Sequence, residues 1–475
     1  MLEKIKGLFG AQDMTVGSPT KNIAKFAVPL LIGNLAQQLY STVDSIVVGN
    51  YCTVESVGYD GVDALAAVGV SMPIVNLLLV LFIAISTGAG ILVAQLFGAK
   101  DKERLSRCVS TSVVLITVAS IMITVLGVPL TNPLLRLINT PEKYFDIASI
   151  YLKIIFAGII GGGFYNIISG ILRGLGDSFY PLVFLVIAAL SNIVLDLLFV
   201  IQFNWGVMGV ALATIIAQAL SGTLCIIRLT RMKDIIEINR NTLKPDMRMG
   251  GQVLKLGLPS GITQAVFSLA MVFVQSLTNQ MGAFVPAVNV AVMRVDGYAM
   301  MPNFTFGLAI STFIGQNIGA GREDRIKPGE TATIRLALTV SAILVLCLLL
   351  WGRNLIELFI NEGAANYVEV VALGGRALRI LAVGYVAMAV TQVYGGILRA
   401  AGDTMSSMYI SIITTVIIRV PLAYGIAHFT KSEVWPYGHP DALFISLMVS
   451  WLLGAVLTYF RFRQGKWKDI KLVER

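Results

Sequence analysis

Two aspartates, Asp44 and Asp196, lie in stretches that are otherwise apolar enough to cross a membrane. Each has a polar neighbour one helical turn earlier, because Tyr40 precedes Asp44 and Asn192 precedes Asp196 by four residues. A carboxylate at the centre of a bilayer costs about 2.5–3.5 kcal/mol on insertion scales, and neither stretch contains a basic residue to offset it. Two such acids are suited to binding and releasing a proton or to holding a sodium ion; structural hydrogen bonding is the alternative.

The first of these stretches carries a polar stripe. Its members, separated by three or four residues, are Asn34, Gln37, Ser41 and Asp44. They share one helix face, which must contact protein or a water-filled cavity because lipid offers polar groups no partners. A later stretch has a similar stripe without a charge, formed by Gln264, Ser268, Met271, Gln275 and Thr278. Polar contacts between helices account for the amides and hydroxyls, but not for Asp44.

The composition indicates an integral membrane protein. The chain has 475 residues, of which 56% are hydrophobic and 13% charged, and its mean hydropathy is +0.79. Soluble domains are about one quarter charged. The longest polar stretch, at about 228–255, is too short for a separate domain and is expected to be a linker. The net charge of +9 lies mainly in short loops, which argues against nucleic acid as a partner.

Apolar runs of about 20 residues or more predict twelve membrane-spanning helices. We number them spans 1 to 12; their expected extents are 26–50, 64–97, 106–128, 144–172, 179–202, 207–229, 253–280, 284–318, 330–352, 368–398, 404–429 and 441–462. With the N-terminus inside, the loop lysines and arginines that fall outside the cell are Arg136, Lys143, Arg353 and Lys431. Both termini are therefore expected in the cytoplasm, with the chain in the inner membrane and no cleaved signal peptide.

The chain contains an internal duplication. GILRGLGDS at 170–178 recurs as GILRAAGDT at 396–404, and AQLFGAKDKERL at 94–105 resembles GQNIGAGREDRI at 315–326. Six spans per half predict an all-α protein of two six-helix bundles related by a pseudo-two-fold axis along the membrane normal, with a cavity between them. The expected domains are an N-terminal bundle at 1–230, a cytoplasmic linker at 231–252 and a C-terminal bundle at 253–475.

The duplicated motif carries charges of its own. Arg173 with Asp177, and Arg399 with Asp403, are expected to cap and pin the cytoplasmic ends of spans 4 and 10. The glycines are not a phosphate loop, since the motif lacks the Gly-Lys-Ser/Thr ending and no strand precedes it.

Other reactive side chains are sparse. The four cysteines, Cys52, Cys108, Cys225 and Cys347, are scattered without a Cys-x-x-Cys pair, and His428 and His439 lie near one predicted loop. We therefore expect no disulfide framework, no metal site and no cofactor beyond a coupling ion. An enzyme is not expected, because no nucleophile and base come together.

A few buried charges have no assigned role. Arg294 and Asp296 lie close together in span 8 and are able to pair. Arg419 in span 11 and Lys153 in span 4 either extend to the membrane surface or contact a cavity.

The sequence resembles the multidrug and toxic compound extrusion (MATE) family over essentially its whole length. The resemblance rests on pieces that occur in order across the two halves: Pro29 followed by VDSIVVG, ALAAVGVSMP ending at Pro73, the QLFGA/QNIGA pair, the twin GILR-x-x-GD motifs, and SNIVLDLLFV. The closest branch by these features is the prokaryotic DinF-like one. That branch has a cation-responsive cluster, whose matching positions here are Tyr40, Asp44, Tyr151, Asn192, Asp196 and Thr214.

The resemblance implies an antiporter in which proton or sodium entry drives the export of amphiphilic, often cationic, organic compounds by a rocker-switch mechanism. Other branches use a glutamate in span 7 and an acidic residue in span 10, where this chain has Phe267 and an apolar segment near Ala389, so coupling through the C-terminal half is not expected. A flippase for lipid-linked precursors, from the related superfamily, is the main alternative; a receptor or scaffold is a further one.

The substrate is expected in the cavity between the halves. The other expected partner is membrane lipid, and the chain is expected to act as a monomer. Candidate contacts are Asn34, Gln37, Gln264, Met271 and Gln275. Met suits irregular apolar ligands because its side chain is flexible and polarisable.

Overall fold

The chain folds into long helices. The computed structural model describes residues 10–52, 61–237, 242, 244–282, 284–360, 366–470 and 472–473, and this part of the chain contains no strand. The predicted all-α membrane class is confirmed. The loop between spans 1 and 2 lies largely outside the described residues.

Six helices form the first half: α1 (Pro19–Tyr51), α2 (Gly61–Gly98), α3 (Lys102–Leu137), α4 (Glu142–Gly174), α5 (Phe179–Asp196, continued by a π-helical segment, Leu197–Gln202) and α6 (Gly206–Thr230). Six more form the second half: α7 (Met247–Gln280), α8 (Val285–Gly319), α9 (Ile326–Glu357), α10 (Tyr367–Ala400), α11 (Thr404–Ile412, a π-helical segment Ile413–Ile418, and Arg419–Phe429) and α12 (Asp441–Arg463).

Most of these helices are apolar enough to cross a membrane. Ten of them within the described residues meet that criterion by length and composition. The other two, α1 and α8, are 33 and 35 residues long but carry more polar side chains. Several helices extend beyond the predicted spans; α1, for example, begins at Pro19 rather than at residue 26. Hydropathy marks the part of a helix that lies in lipid, whereas the backbone hydrogen bonds continue through the polar residues beside it.

The chain divides into two compact units. Unit 1 comprises Val28–Gly261 with the described residues up to Met14, and unit 2 comprises Thr15–Ala27 with Ile262–Arg475. The first helix of each half, α1 or α7, therefore changes unit near a proline inside it, Pro29 or Pro259. A proline within a helix removes one backbone hydrogen bond, so the backbone hydrogen bonding of each helix is weakened near the point where it changes unit. The domain limits predicted from span order follow a different criterion and stay a prediction.

Within unit 1, the start of α7 lies very close to α2. A Cβ atom added to Gly257 would overlap the carbonyl oxygen of Ala84, and one added to Gly88 would overlap the carbonyl oxygen of Val253. Only glycine allows two helix backbones to approach so closely in a membrane protein. This contact fixes residues 247–261 in unit 1, although they precede the second half of the chain.

Unit 2 has a continuous apolar core. Val288, Val371, Leu378 and Tyr385 are fully buried in it, and the Tyr385 ring packs against Trp451 with 5.6 Å between the ring centroids. These residues come from α8, α10 and α12. The core supports the inner wall of a cavity described below.

Both π-helical segments occur in the fifth helix of a half. Leu197–Gln202 begins directly after Asp196, and Ile413–Ile418 ends directly before Arg419. A π-helical turn inserts one extra residue into a helix and is frequent at functional sites. Each segment thus has a buried charged residue at its edge.

Candidate functional site

The six residues predicted for cation coupling lie together in unit 1, contributed by α1, α4, α5 and α6. The carboxyl groups of Asp44 and Asp196 are within hydrogen-bonding reach of each other. Tyr151 lies near both, and the Tyr40 hydroxyl is within hydrogen-bonding reach of Thr214. The structure therefore gathers side chains that are as much as 174 positions apart in the sequence.

Asn192 connects α5 to α6. With its amide oriented so that both ends are satisfied, its nitrogen donates to Asp196 Oδ2 at 2.8 Å and its oxygen accepts from the Thr214 backbone N–H at 3.1 Å. Asn192 and Asp196 are fully buried. The amide thus fixes the position of one carboxyl oxygen and holds it beside α6.

The other oxygen atoms of the pair lack partners. Asp44 Oδ1 and Asp196 Oδ1 are buried and accept no hydrogen bond, and neither carboxyl forms an ion pair with a basic side chain in the described part of the chain. Ionised carboxylates only accept hydrogen bonds, so a hydrogen bond between two carboxyls requires a proton on one of them. The site can therefore hold a proton between the acids, or a small cation in its place.

A cavity of about 500 Å³ lies within unit 2. Three of the five predicted substrate contacts, Gln264, Met271 and Gln275, line it, all from α7. The two others, Asn34 and Gln37, lie on the part of α1 that belongs to unit 1. The role of all five stays a prediction.

A family model described as MatE matches residues 29–198 and 259–425, one match in each half of the chain. The chain belongs to the MATE family. The membership predicted from the motifs is confirmed, and the family consists of multi-pass membrane transporters rather than enzymes.

Relatives of this MATE chain match it over nearly their whole length. The probable multidrug resistance proteins YoeA and YpnP of Bacillus subtilis (strain 168) are 29% and 31% identical to it, and the alignments cover 98% and 97% of the chain and 98% and 99% of the relatives. A solved structure, the outward-facing conformation of a multidrug resistance MATE family transporter of the MOP superfamily, has a TM-score of 0.86 at 24% identity, over 97% of this chain and 99% of that one. That likeness shows the fold.

The duplicated motif of this MATE chain makes ion pairs that the sequence analysis missed. Asp177 accepts from Arg228 Nη2 at 3.1 Å and from the Tyr180 backbone N–H at 3.2 Å. Burial raises the pKa of Asp177, while these hydrogen bonds and the Arg228 charge act in the opposite direction. Arg228 also lies 3.8 Å above the Tyr180 ring centroid. The carboxylate thereby joins the start of α5 to the end of α6.

The second copy repeats this arrangement. Asp403 Oδ2 accepts from Arg461 Nε at 2.8 Å, and Arg461 comes from the end of α12. Each motif aspartate is thus held by an arginine near the C-terminal end of the last helix in its half. The predicted roles of Arg173 and Arg399 in capping α4 and α10 stay predictions. The sequence did contain a signal for these partners, because Arg228 and Arg461 each lie near the end of the last span in their half.

The neighbours of Asp296 differ from the pairing considered in the sequence analysis. Its carboxyl faces the Tyr385 hydroxyl and the Arg419 guanidinium, whereas the Arg294 side chain is exposed. Arg294 and Asp296 are two positions apart, and such residues point to different sides of a helix. Tyr385 was not predicted, because it lies 89 positions away on α10.

Proposed function

We propose that this MATE chain is an ion-coupled multidrug efflux antiporter of the cytoplasmic membrane, with both termini in the cytoplasm. It exports amphiphilic, often cationic, organic compounds in exchange for H⁺ or Na⁺. The observation that carries the proposal is the buried pair formed by Asp44 and Asp196, which has no basic partner among the described residues. The names of the relatives, multidrug resistance and multidrug export proteins, support the substrate class.

Coupling follows from what the pair does when its ion leaves. Without a proton or cation, two carboxylates at hydrogen-bonding distance repel each other in a medium of low dielectric constant. Separation of α1 from α5 relieves that repulsion, whereas ion binding draws the two helices together. The helix arrangement therefore depends on occupancy, as alternating access requires.

Asn192 and Thr214 extend this change to α6. Because the Asn192 amide holds both Asp196 and the α6 backbone, a movement of the carboxyl is transmitted to the helix that carries Thr214. The π-helical segment after Asp196 gives α5 a place to adjust its turn. The substrate is released when an ion holds the carboxyl groups of Asp44 and Asp196 together. Gln264, Met271 and Gln275 in α7 are the proposed substrate contacts in the C-terminal half.

The test is transport in membrane vesicles. Efflux of a fluorescent organic cation is measured with a proton gradient or a sodium gradient imposed separately, for the parent chain and for the Asp44→Asn and Asp196→Asn variants. We expect one gradient to drive efflux and each substitution to abolish it, while the amount of protein inserted stays unchanged.

The matched control is Asp146→Asn, which makes the same chemical change at an exposed position of α4. It should transport normally. Gradient-driven efflux by both Asp44→Asn and Asp196→Asn would rule out the proposed coupling site.

A further inference from the structure

Arg419 is a buried cation with poor hydrogen-bond partners. It is 4% exposed, at the end of the π-helical segment of α11. Its two terminal nitrogens contact the Met271 sulfur at 3.6 and 3.7 Å, and its Nε has no partner. A thioether is a weak acceptor, so the guanidinium is largely unsatisfied. Burying a charged donor without an acceptor is costly, which points to a missing partner.

The nearest opposite charge does not fill this role. Asp296 interacts with Arg419 electrostatically without forming a direct ion pair, and its buried Oδ1 has no hydrogen-bond partner. The Tyr385 hydroxyl lies beside the Asp296 carboxyl. Asp296 is thus stabilised by the Tyr385 hydroxyl and by the charge of Arg419 at a distance. The hydrogen-bond acceptor that the structure gives Arg419 is the Met271 sulfur.

Both groups line the cavity of about 500 Å³ in unit 2. Most of its remaining wall is apolar. The aromatic members are Phe267, Phe304, Phe444 and Trp451, and the flexible ones are Met271, Met293, Met300 and Met388. Such walls accept a flat or irregular apolar body. The cavity therefore combines an apolar enclosure with one under-satisfied guanidinium.

We propose that this cavity binds amphiphilic organic carboxylates, whose anionic group is held by Arg419 and whose apolar body lies against the aromatic and methionine side chains. The planar fork of a guanidinium matches the two oxygens of a carboxylate, which would supply the acceptors that Met271 does not. Beside Arg419 an organic cation is disfavoured by the like charge, so a cationic compound of the proposed function would place its charge nearer Asp296, which lines the same cavity. The site adds an anion class to the cationic compounds of the proposed function and does not depend on ion coupling.

Binding is tested at equilibrium on the purified chain in lipid nanodiscs, with no ion gradient. The probe is dansylglycine, and its neutral counterpart is dansylglycinamide, which has the same apolar body. Energy transfer from tryptophan reports binding, since Trp451 lines the cavity. We expect saturable binding of the acid to be about tenfold tighter than that of the amide, as expected for a charge-assisted contact. Equal affinities would overturn the proposal.

Two substitutions give opposite expected results. Arg419→Gln should remove the preference for the acid, whereas Asp296→Asn should strengthen acid binding several-fold by removing a repelling charge. Arg294→Gln, a change of the same kind at an exposed position of α8, should leave both affinities unchanged.

If Arg419→Gln fails to fold, the change in affinity for the acid in Asp296→Asn still tests the proposal. Unchanged or weaker binding of the acid in Asp296→Asn would overturn the proposal, because the carboxylate of the ligand would then not lie near the charges of Asp296 and Arg419. Since no gradient is applied, that result would leave the coupling site at Asp44 and Asp196 standing.

Discussion

Thr214 and Thr223 make the same local contact in α6. Their hydroxyls donate to the carbonyl oxygens of Val210 and Ala219 at 2.9 and 2.8 Å. Thr214 differs because it also lies within hydrogen-bonding reach of the Tyr40 hydroxyl. Comparing the two threonines therefore distinguishes the effect of the hydrogen bond within α6 from the effect of the contact with Tyr40.

Thr214→Val should weaken ion-driven efflux because Tyr40 loses a hydrogen-bond partner, which is worth about 0.5–1.5 kcal/mol and corresponds to roughly a twofold to twelvefold higher ion concentration for half-maximal efflux. The measurement is efflux against coupling-ion concentration in vesicles. Thr223→Val, equally isosteric and exposed, should behave like the parent chain. The same shift in both variants would assign the effect to α6 in general.

Individual residues differed in how far the sequence revealed them. Asp44 and Asp196 were identifiable because a charge in an apolar span is costly, and Tyr40 and Asn192 because they lie one turn away on the same face. The partners of Asp177 and Asp296 were not, since Arg228 and Tyr385 are on other helices. Spacing along one helix is written in the sequence, whereas contacts between helices depend on how the helices pack.

At the scale of helices, the Asp177–Arg228 pair joins the start of α5 to the end of α6. Asp177 is fully buried, and its partner is 22% exposed at the side chain. Arg228→Gln should lower the free energy of unfolding by about 3–5 kcal/mol, because an unpaired carboxylate remains buried. Thermal unfolding in detergent is the measurement, and Arg231→Gln, one turn on and exposed, is the control.

The double variant Asp177→Asn/Arg228→Gln provides a further check. It should recover much of the lost stability, since no uncompensated charge is left. Additive losses from the two single substitutions would contradict the assignment of an interacting pair.

The packing of α7 on α2 makes a second prediction at this scale. Gly257→Ala should destabilise the chain, because the added methyl group overlaps the Ala84 carbonyl oxygen. Gly251→Ala in the same helix meets no atom within 4 Å and should be neutral or stabilising by up to about 1 kcal/mol from helix propensity. Measured side by side, the unfolding temperature should therefore fall for Gly257→Ala and stay the same or rise for Gly251→Ala. A similar shift in both would mean that the close approach is not needed.

For the whole molecule, the order of the twelve long helices in the described residues followed from hydropathy and from the duplicated motifs. The two compact units are divided at positions that hydropathy does not mark. Residues 15–27 belong to unit 2 although they open the first half of the chain. One contact that holds them is the hydrogen bond from Arg325 Nη2 to the Gly17 carbonyl oxygen at 2.9 Å, across 308 positions. A link between a side chain and a distant backbone oxygen leaves no pattern in a single sequence.

Arg325→Gln should loosen this segment. We expect faster amide hydrogen exchange in residues 15–27, measured by mass spectrometry, with the rest of unit 2 little changed. Arg322→Gln is the control, because Arg322 pairs with its exposed neighbour Asp324 at 2.9 Å. Unchanged exchange in Arg325→Gln would show that other contacts hold residues 15–27.

The π-helical segments of α5 and α11 also make chain length part of each site. Each segment holds one residue more than an α-helix needs for the same rotation, and its wider turn absorbs that residue. Deleting one residue between 197 and 202, or between 413 and 418, should therefore leave a continuous α-helix whose two flanking parts face nearly as before. Asp196 would still face its partners, but the wider turn beside it would be lost. A single deletion elsewhere in α5 or α11, where no extra residue is stored, would instead turn one part of the helix against the other by about 100°.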